Sequence, residues 1–228
     1  MKTCIIFFIL VTITFITSVS IYADYVEVKK PSGKTRKLYL VKDNSLVELV
    51  NIKKYIPDAI VDMKYATDDS MFKKPVYTVN KCLVKKELAE KLKKANDILK
   101  KKYKKRIKFW DCYRPWSIQK IMWNIYPKKG YVAHPAWGSN HNRGCAVDIT
   151  LTDLDGKEVK MPTKFDDLSK KANHNYQDLP EKVKENRWIL KSVMRKVGLN
   201  SIRSEWWHYN LPKPKRYPVI DIKLEDIK

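Results

Sequence analysis

The chain has 228 residues, 44% of them hydrophobic and 32% charged, which suits one soluble globular domain with a real core. Lys and Arg total 47 against 25 Asp and Glu, a formal charge of +22. The lysines are spread along the chain and none is interleaved with an aromatic-rich motif, which argues against a nucleic-acid binder.

Residues 1–23 open with Lys2, run apolar from Cys4 to Val19 and end in Ser20-Ile21-Tyr22-Ala23 before charge returns at Asp24. A short positive start, an apolar stretch and a small residue describe a secretory signal, with cleavage expected after Ala23. An uncleaved membrane anchor is the alternative, because the stretch is nearly long enough to span. Either reading places a domain over 24–228 outside the cytoplasm. Removing 1–23 takes away one Lys and no acid, leaving 46 − 25 = +21.

Residues 24–50 read as a polar, strand-like arm with a turn at Pro31-Ser32-Gly33. A strand from Val47, a turn at Ile56-Pro57-Asp58 and a second strand over 60–65 follow. The spacing of Leu88, Leu92, Ala95 and Leu99 predicts a helix over 85–103, with lysines on its other face. Residues 107–113 alternate well enough for a strand, Pro115 ends it, and Ser117 is the expected cap of a helix to Asn124. Residues 130–138 are irregular, 146–151 read as a strand, and Asp155-Gly156 signals a hairpin. A second amphipathic helix over 181–197 stops at Gly198, and a last strand lies near 206–211. The expectation is a single α+β domain, with a mainly antiparallel sheet flanked by helices.

Four cysteines are present, and Cys4 falls in the signal. No Cys-x-x-Cys pair exists, which excludes a zinc ribbon. Cys82 precedes the main helix and Cys112 ends the strand after it. In an oxidising compartment these two are the expected disulfide, with Cys145 free.

Two histidines lie in unusual settings: Ser139-Asn140-His141-Asn142-Arg143-Gly144-Cys145-Ala146-Val147-Asp148, and Glu205-Trp206-Trp207-His208. A catalytic zinc takes three His or carboxylate ligands and keeps one position for water. His141, Asp148 and His208 can supply them, because a turn at Gly144 and a strand can bring the first two to one ion. In a flat strand Glu205 and His208 would face opposite ways, so a bend is needed for Glu205 to serve as a general base. From spacing alone these residues read equally as packed histidines beside aromatics and as an aspartate partnering a turn.

The combined pattern, Ser-x-His-x-x-Gly-x-Ala-x-Asp followed by Glu-x-x-His after two tryptophans, resembles the zinc D-Ala-D-Ala metallopeptidases. Asp62-Met63-Lys64-Tyr65-Ala66-Thr67, Trp110-Asp111-Cys112-Tyr113-Arg114-Pro115 and Phe165-Asp166 extend the likeness. Within that superfamily it resembles most the D-alanyl-D-alanine dipeptidases known from vancomycin-resistance systems and envelope recycling.

The resemblance implies a cleft with one zinc per chain on His141, Asp148 and His208, and Glu205 as catalytic base. It also implies Arg114 supporting the transition state and Asp166 receiving the substrate's free amino group. Ser139 and Tyr65 are expected to shape the pocket. The implied substrate is a small D-amino-acid dipeptide. Nucleic acid is not an expected partner, the basic surface could be drawn weakly to an anionic envelope, and the oligomeric state is left open. The resistance-type enzymes work in the cytoplasm, so the leader favours handling of wall fragments outside the membrane. Two alternatives remain at this point: a carboxypeptidase or endopeptidase of the same superfamily acting on peptidoglycan stems, and a non-catalytic wall-binding protein.

Overall fold

The computed structural model describes residues 24–128 and 130–227. The expected signal, 1–23, lies outside the described residues. The polar arm forms a hairpin, β1 (Asp24–Lys29) against β2 (Thr35–Val41), antiparallel from Asp24↔Leu40 to Lys29↔Thr35. Gly33 turns it at φ +79°, a conformation glycine adopts without strain. β3 (Leu49–Asn51) follows, then β4, which is only Ile60–Val61. The strand expected over 60–65 is therefore cut short. Asn80 Oδ1 accepts the Met63 N–H, residues 64–66 wind into a single 3-10 turn, and Tyr65 is buried.

β5 (Leu83–Lys85) leads into α1 (Lys86–Ile98), and a π turn over Leu99–Tyr103 completes the expected helix. β6 (Arg106–Asp111) precedes α2 (Trp116–Ile125). Ser117 does not cap α2. Pro115 holds the cap position without a side-chain bond, and the Asp221 carboxylate accepts the Ser117 N–H at 2.9 Å. β7 (Ala146–Thr152), α3 (Glu181–Lys196), β8 (Asn200–Ser201), β9 (His208–Asn210) and β10 (Val219–Ile220) follow. Gly198, at φ +80°, ends α3 as the sequence predicts, and the Leu199 N–H reaches back to the Met194 carbonyl at 3.0 Å.

The strands form three sheets, ordered β4-β6-β7-β9-β8, β1-β2-β10 and β3-β5. Only β4–β6 and β2–β10 are parallel among the described pairings, so the domain is α+β with a mainly antiparallel sheet, as expected. α1 packs on α3 and on β3 and β5, burying Leu88, Leu92 and Ala95, and Leu99 of the π turn is buried after them. Cys82 and Cys112 are disulfide-bonded and Cys145 is free and buried, which matches the expected pairing.

β7 is buried along its whole length. Its register sets Asp148 opposite Asp111 of β6 on one side and opposite His208 of β9 on the other. Residues directly opposed across strands share a sheet face. Three polar side chains from segments far apart in sequence thus fall in one row across the centre of the sheet.

Candidate metal centre

His141 enters from the loop before β7. Residues 141–143 make one 3-10 turn, closed by Gly144 at φ +63°. A side chain at 144 would be strained there, and its Cβ would stand 2.4 Å from Leu49 Cδ2. The Ser139 Oγ accepts the His141 N–H at 3.2 Å, and Asn142 Oδ1 accepts the Ser139 N–H at 2.6 Å. The loop is thereby bonded to itself on both sides of His141.

His141 Nε2, Asp148 Oδ1 and His208 Nδ1 converge. Their separations are 3.2 Å between the two nitrogens, 3.4 Å from His141 to Asp148 and 3.0 Å from His208 to Asp148. All three residues are buried, and together they could hold a metal ion. A tetrahedral ion with ligand bonds of about 2.0–2.2 Å needs ligand atoms roughly 3.3–3.6 Å apart. The observed triangle fits after widening by a few tenths of an ångström. The Cys112 carbonyl lies 2.8 Å from His141 Nδ1, so that nitrogen carries the proton and Nε2 keeps a free lone pair. His208 Nε2 has no such anchor and is buried without a hydrogen-bond partner among the described residues.

The acids of the site favour a positive charge among these ligands, so a proton on His141 competes with a metal ion for the same place. Burial opposes charge on His141, but Asp148 and Asp111 outweigh it and raise its pKa. Burial likewise works against the Asp148 anion, but the two imidazoles hold its pKa far below the ordinary carboxylate range. Asp148 therefore stays ionised, as a metal ligand must.

Residues 206–207 form a turn just before β9, and this is the bend the sequence required. It brings Glu205 Oε2 to 4.0 Å from His208 Nδ1. Burial raises the Glu205 pKa. Arg114 is buried with three polar partners: Asp111 Oδ2 at 2.6 Å, Gln119 Oε1 at 2.8 Å and the Tyr77 hydroxyl at 3.4 Å. Its guanidinium also lies over the Tyr65 ring, 5.0 Å from the centroid.

Asp166 sits at φ +58°, a strained region for a residue with a Cβ. Tyr65 donates its hydroxyl to Asp166 Oδ1 at 3.1 Å, and the Met71 N–H donates to Oδ2 at 3.3 Å. Burial nonetheless pushes the Asp166 pKa up to about 7.

Every residue singled out from the sequence lines one cleft of about 390 Å³: Tyr65, Arg114, Ser139, His141, Asp148, Asp166, Glu205 and His208. Sequence reasoning missed the supports behind them. Asp111 is fully buried and joins Arg114, the Tyr77 hydroxyl at 2.6 Å and His141 Nδ1 at 3.2 Å. An acid inside an apolar strand, three positions before an arginine, was the available signal. Tyr77, Gln119 and Asn142 gave none.

Comparison with known proteins adds to this geometry. The family model described as D-ala-D-ala dipeptidase matches residues 45–222. The D-alanyl-D-alanine dipeptidase of Escherichia coli is 33% identical over 173 residues, covering 76% of this chain and 89% of that protein. Those of Enterococcus faecium and Enterococcus faecalis are 35% and 33% identical over 183 residues, each covering 68% of this chain and 89% of the relative. With a match across most of its length, the chain belongs to the D-Ala-D-Ala dipeptidase family and is a peptidase.

Proposed function

We propose that the protein is an exported zinc dipeptidase that cleaves D-alanyl-D-alanine, or a closely related small dipeptide, in cell-wall turnover. The observation that carries this is the meeting of His141, Asp148, His208 and Glu205 in a cleft that also holds Asp166. Its volume, about 390 Å³, is at the small end of ligand pockets, which span about 300–1,000 Å³, and a dipeptide suits it. The named activity of the relatives points to the same substrate.

His141 Nε2, Asp148 Oδ1 and His208 Nδ1 would hold the ion. When bound, zinc supplies Lewis acidity, polarising a carbonyl and lowering the pKa of water to about 7. Glu205 takes the proton of the attacking water and passes it to the leaving amine. Arg114 presents a cation that cannot be neutralised, fixed by Asp111 and Gln119, to the oxyanion that forms as water adds to the peptide carbonyl. Asp166, with Tyr65 on one oxygen, receives the ammonium of the substrate. Ser139 keeps the His141 loop in shape. Export is supported by the apolar leader and by a disulfide of two buried cysteines, a feature of oxidising compartments.

The test is release of D-alanine from D-Ala-D-Ala by purified protein. Turnover should stop with a chelator and return with zinc. Zinc-loaded, folded protein that releases no D-alanine would reject the reading.

A further inference from the structure

Residues 130–139 wall the cleft through Gly130, Tyr131, Val132, Ala133, Gly138 and Ser139. This stretch is neither strand nor helix, so its shape depends on what it leans against. It leans on the sheet β1-β2-β10. Lys30 and Arg36, which flank the hairpin turn, stack on the Trp137 ring at 5.6 and 5.2 Å from its centroid. Trp137 is 47% exposed, so burial alone does not hold it. Trp116 packs with Leu38, Leu40 and Val219 in a small core of their own, and its Nε1–H donates to the Pro135 carbonyl at 3.0 Å. Gly138 lies so close to β10 that a Cβ there would stand 3.2 Å from Val219 Cγ2. β10 is in turn paired with β2 at Val219↔Leu40.

The inner side of the loop is tied to the reacting groups. Gln119 donates to the Ala133 carbonyl at 2.8 Å and accepts from Arg114 at 2.8 Å. The hairpin meets the loop at Trp137, and Lys30, Arg36 and Trp137 are not among the residues that line the cleft. The hairpin also lies outside the family match, which starts at residue 45.

We infer that hairpin 24–41 is a brace that sets the cleft wall, and that Lys30, Arg36 and Trp137 are positioning residues for substrate binding. They act through the loop and touch none of the groups that take part in bond breaking. Releasing the brace lets the wall move, which weakens substrate binding and leaves the chemical step in place. The kinetic form of this inference rests on the dipeptidase reading above.

The test uses the full chain with Trp137→Ala, with Lys30→Ala/Arg36→Ala together, and with Trp137→Phe, which keeps a ring for the cations. For the first two, KM for D-Ala-D-Ala should rise about five- to thirtyfold, the range expected from losing two exposed cation–π contacts, with kcat within about twofold. Trp137→Phe should restore most of the difference. Amide hydrogen exchange over 130–138 should quicken in the double variant, and this readout needs no substrate. It stands even if D-Ala-D-Ala is not cleaved, so failure of the substrate assignment and failure of the brace are separable. Unchanged KM in an active enzyme, or unchanged exchange over 130–138, would overturn the brace. A matched loss of kcat and thermal stability without a change in KM would also overturn it.

Discussion

Tyr65 and Asp166 stand 101 positions apart in the chain, yet the Tyr65 hydroxyl donates to the Asp166 carboxylate at 3.1 Å. The bond favours the ionised acid, but burial is the larger effect and the pKa rises to about 7. A protonated Asp166 cannot pair with an ammonium ion. The value of kcat/KM for a dipeptide should therefore fall as pH drops through about 7, and Asp166→Asn should remove that limb of the profile. A limb that persists unchanged in Asp166→Asn would assign it to another group.

The same shift has a stability consequence of definite sign. The folded state holds the Asp166 proton more tightly than the unfolded chain, whose carboxyl has a model value of 3.8. Between about pH 4 and 7 the native state thus binds more protons, and this group's contribution to stability declines as pH rises. Asp166→Asn should melt higher than wild type at pH 8 while losing activity. A lower melting temperature at pH 8 would show that the carboxylate is a net stabiliser.

Glu205→Gln should remain folded and bind zinc while turnover falls by about 10² to 10⁴, the usual contribution of a general base. Circular dichroism, metal analysis and kcat measured on one preparation check this. Near-normal turnover would move the base elsewhere.

Asp111→Ala leaves the Arg114 guanidinium buried without its counterion. Breaking a buried ion pair costs about 3–5 kcal/mol. For a domain of this size that is a fall in Tm of roughly 6–20 °C, read by thermal denaturation. An unshifted Tm would mean that Arg114 finds another partner.

The Cys82–Cys112 disulfide closes a loop of sequence separation 30. Chain-entropy arguments give such a loop about 3–4 kcal/mol. The Cys82→Ala/Cys112→Ala protein should unfold at a clearly lower denaturant concentration. An unchanged midpoint would leave the cross-link without a role in stability.

The reacting groups were legible because short runs of sequence carry most of them, Ser139 to Asp148 and Glu205 to His208, although spacing alone left their role open. The Gly144 turn sets His141 against β7, and the Trp206–Trp207 bend sets Glu205 on the side of His208. The supports were not legible, because they act across the chain. Nothing near Gln119 in sequence shows that it bridges Arg114 and Ala133, and nothing near Tyr77 points to Asp111. The two misread elements fail for the same reason. Residues 60–65 alternate like a strand, but Asn80, 17 positions on from Met63, takes the N–H that would have continued it. Ser117 is a good capping residue, but the acceptor at that helix end is Asp221, 104 positions away.

The most direct test of the dipeptidase reading is kcat/KM for D-Ala-D-Ala against N-acetyl-D-Ala-D-Ala. Acetylation removes the ammonium charge and leaves the Asp166 carboxylate buried without its partner, which costs about 1–3 kcal/mol or more for a charged group. The free dipeptide should be preferred by roughly 5- to 160-fold or more, since 1.36 kcal/mol is tenfold in rate. Asp166→Ala should narrow that preference, whereas Arg114→Ala should slow both substrates together. Equal cleavage of the free and blocked substrates by wild type would contradict the assignment and point to a carboxypeptidase.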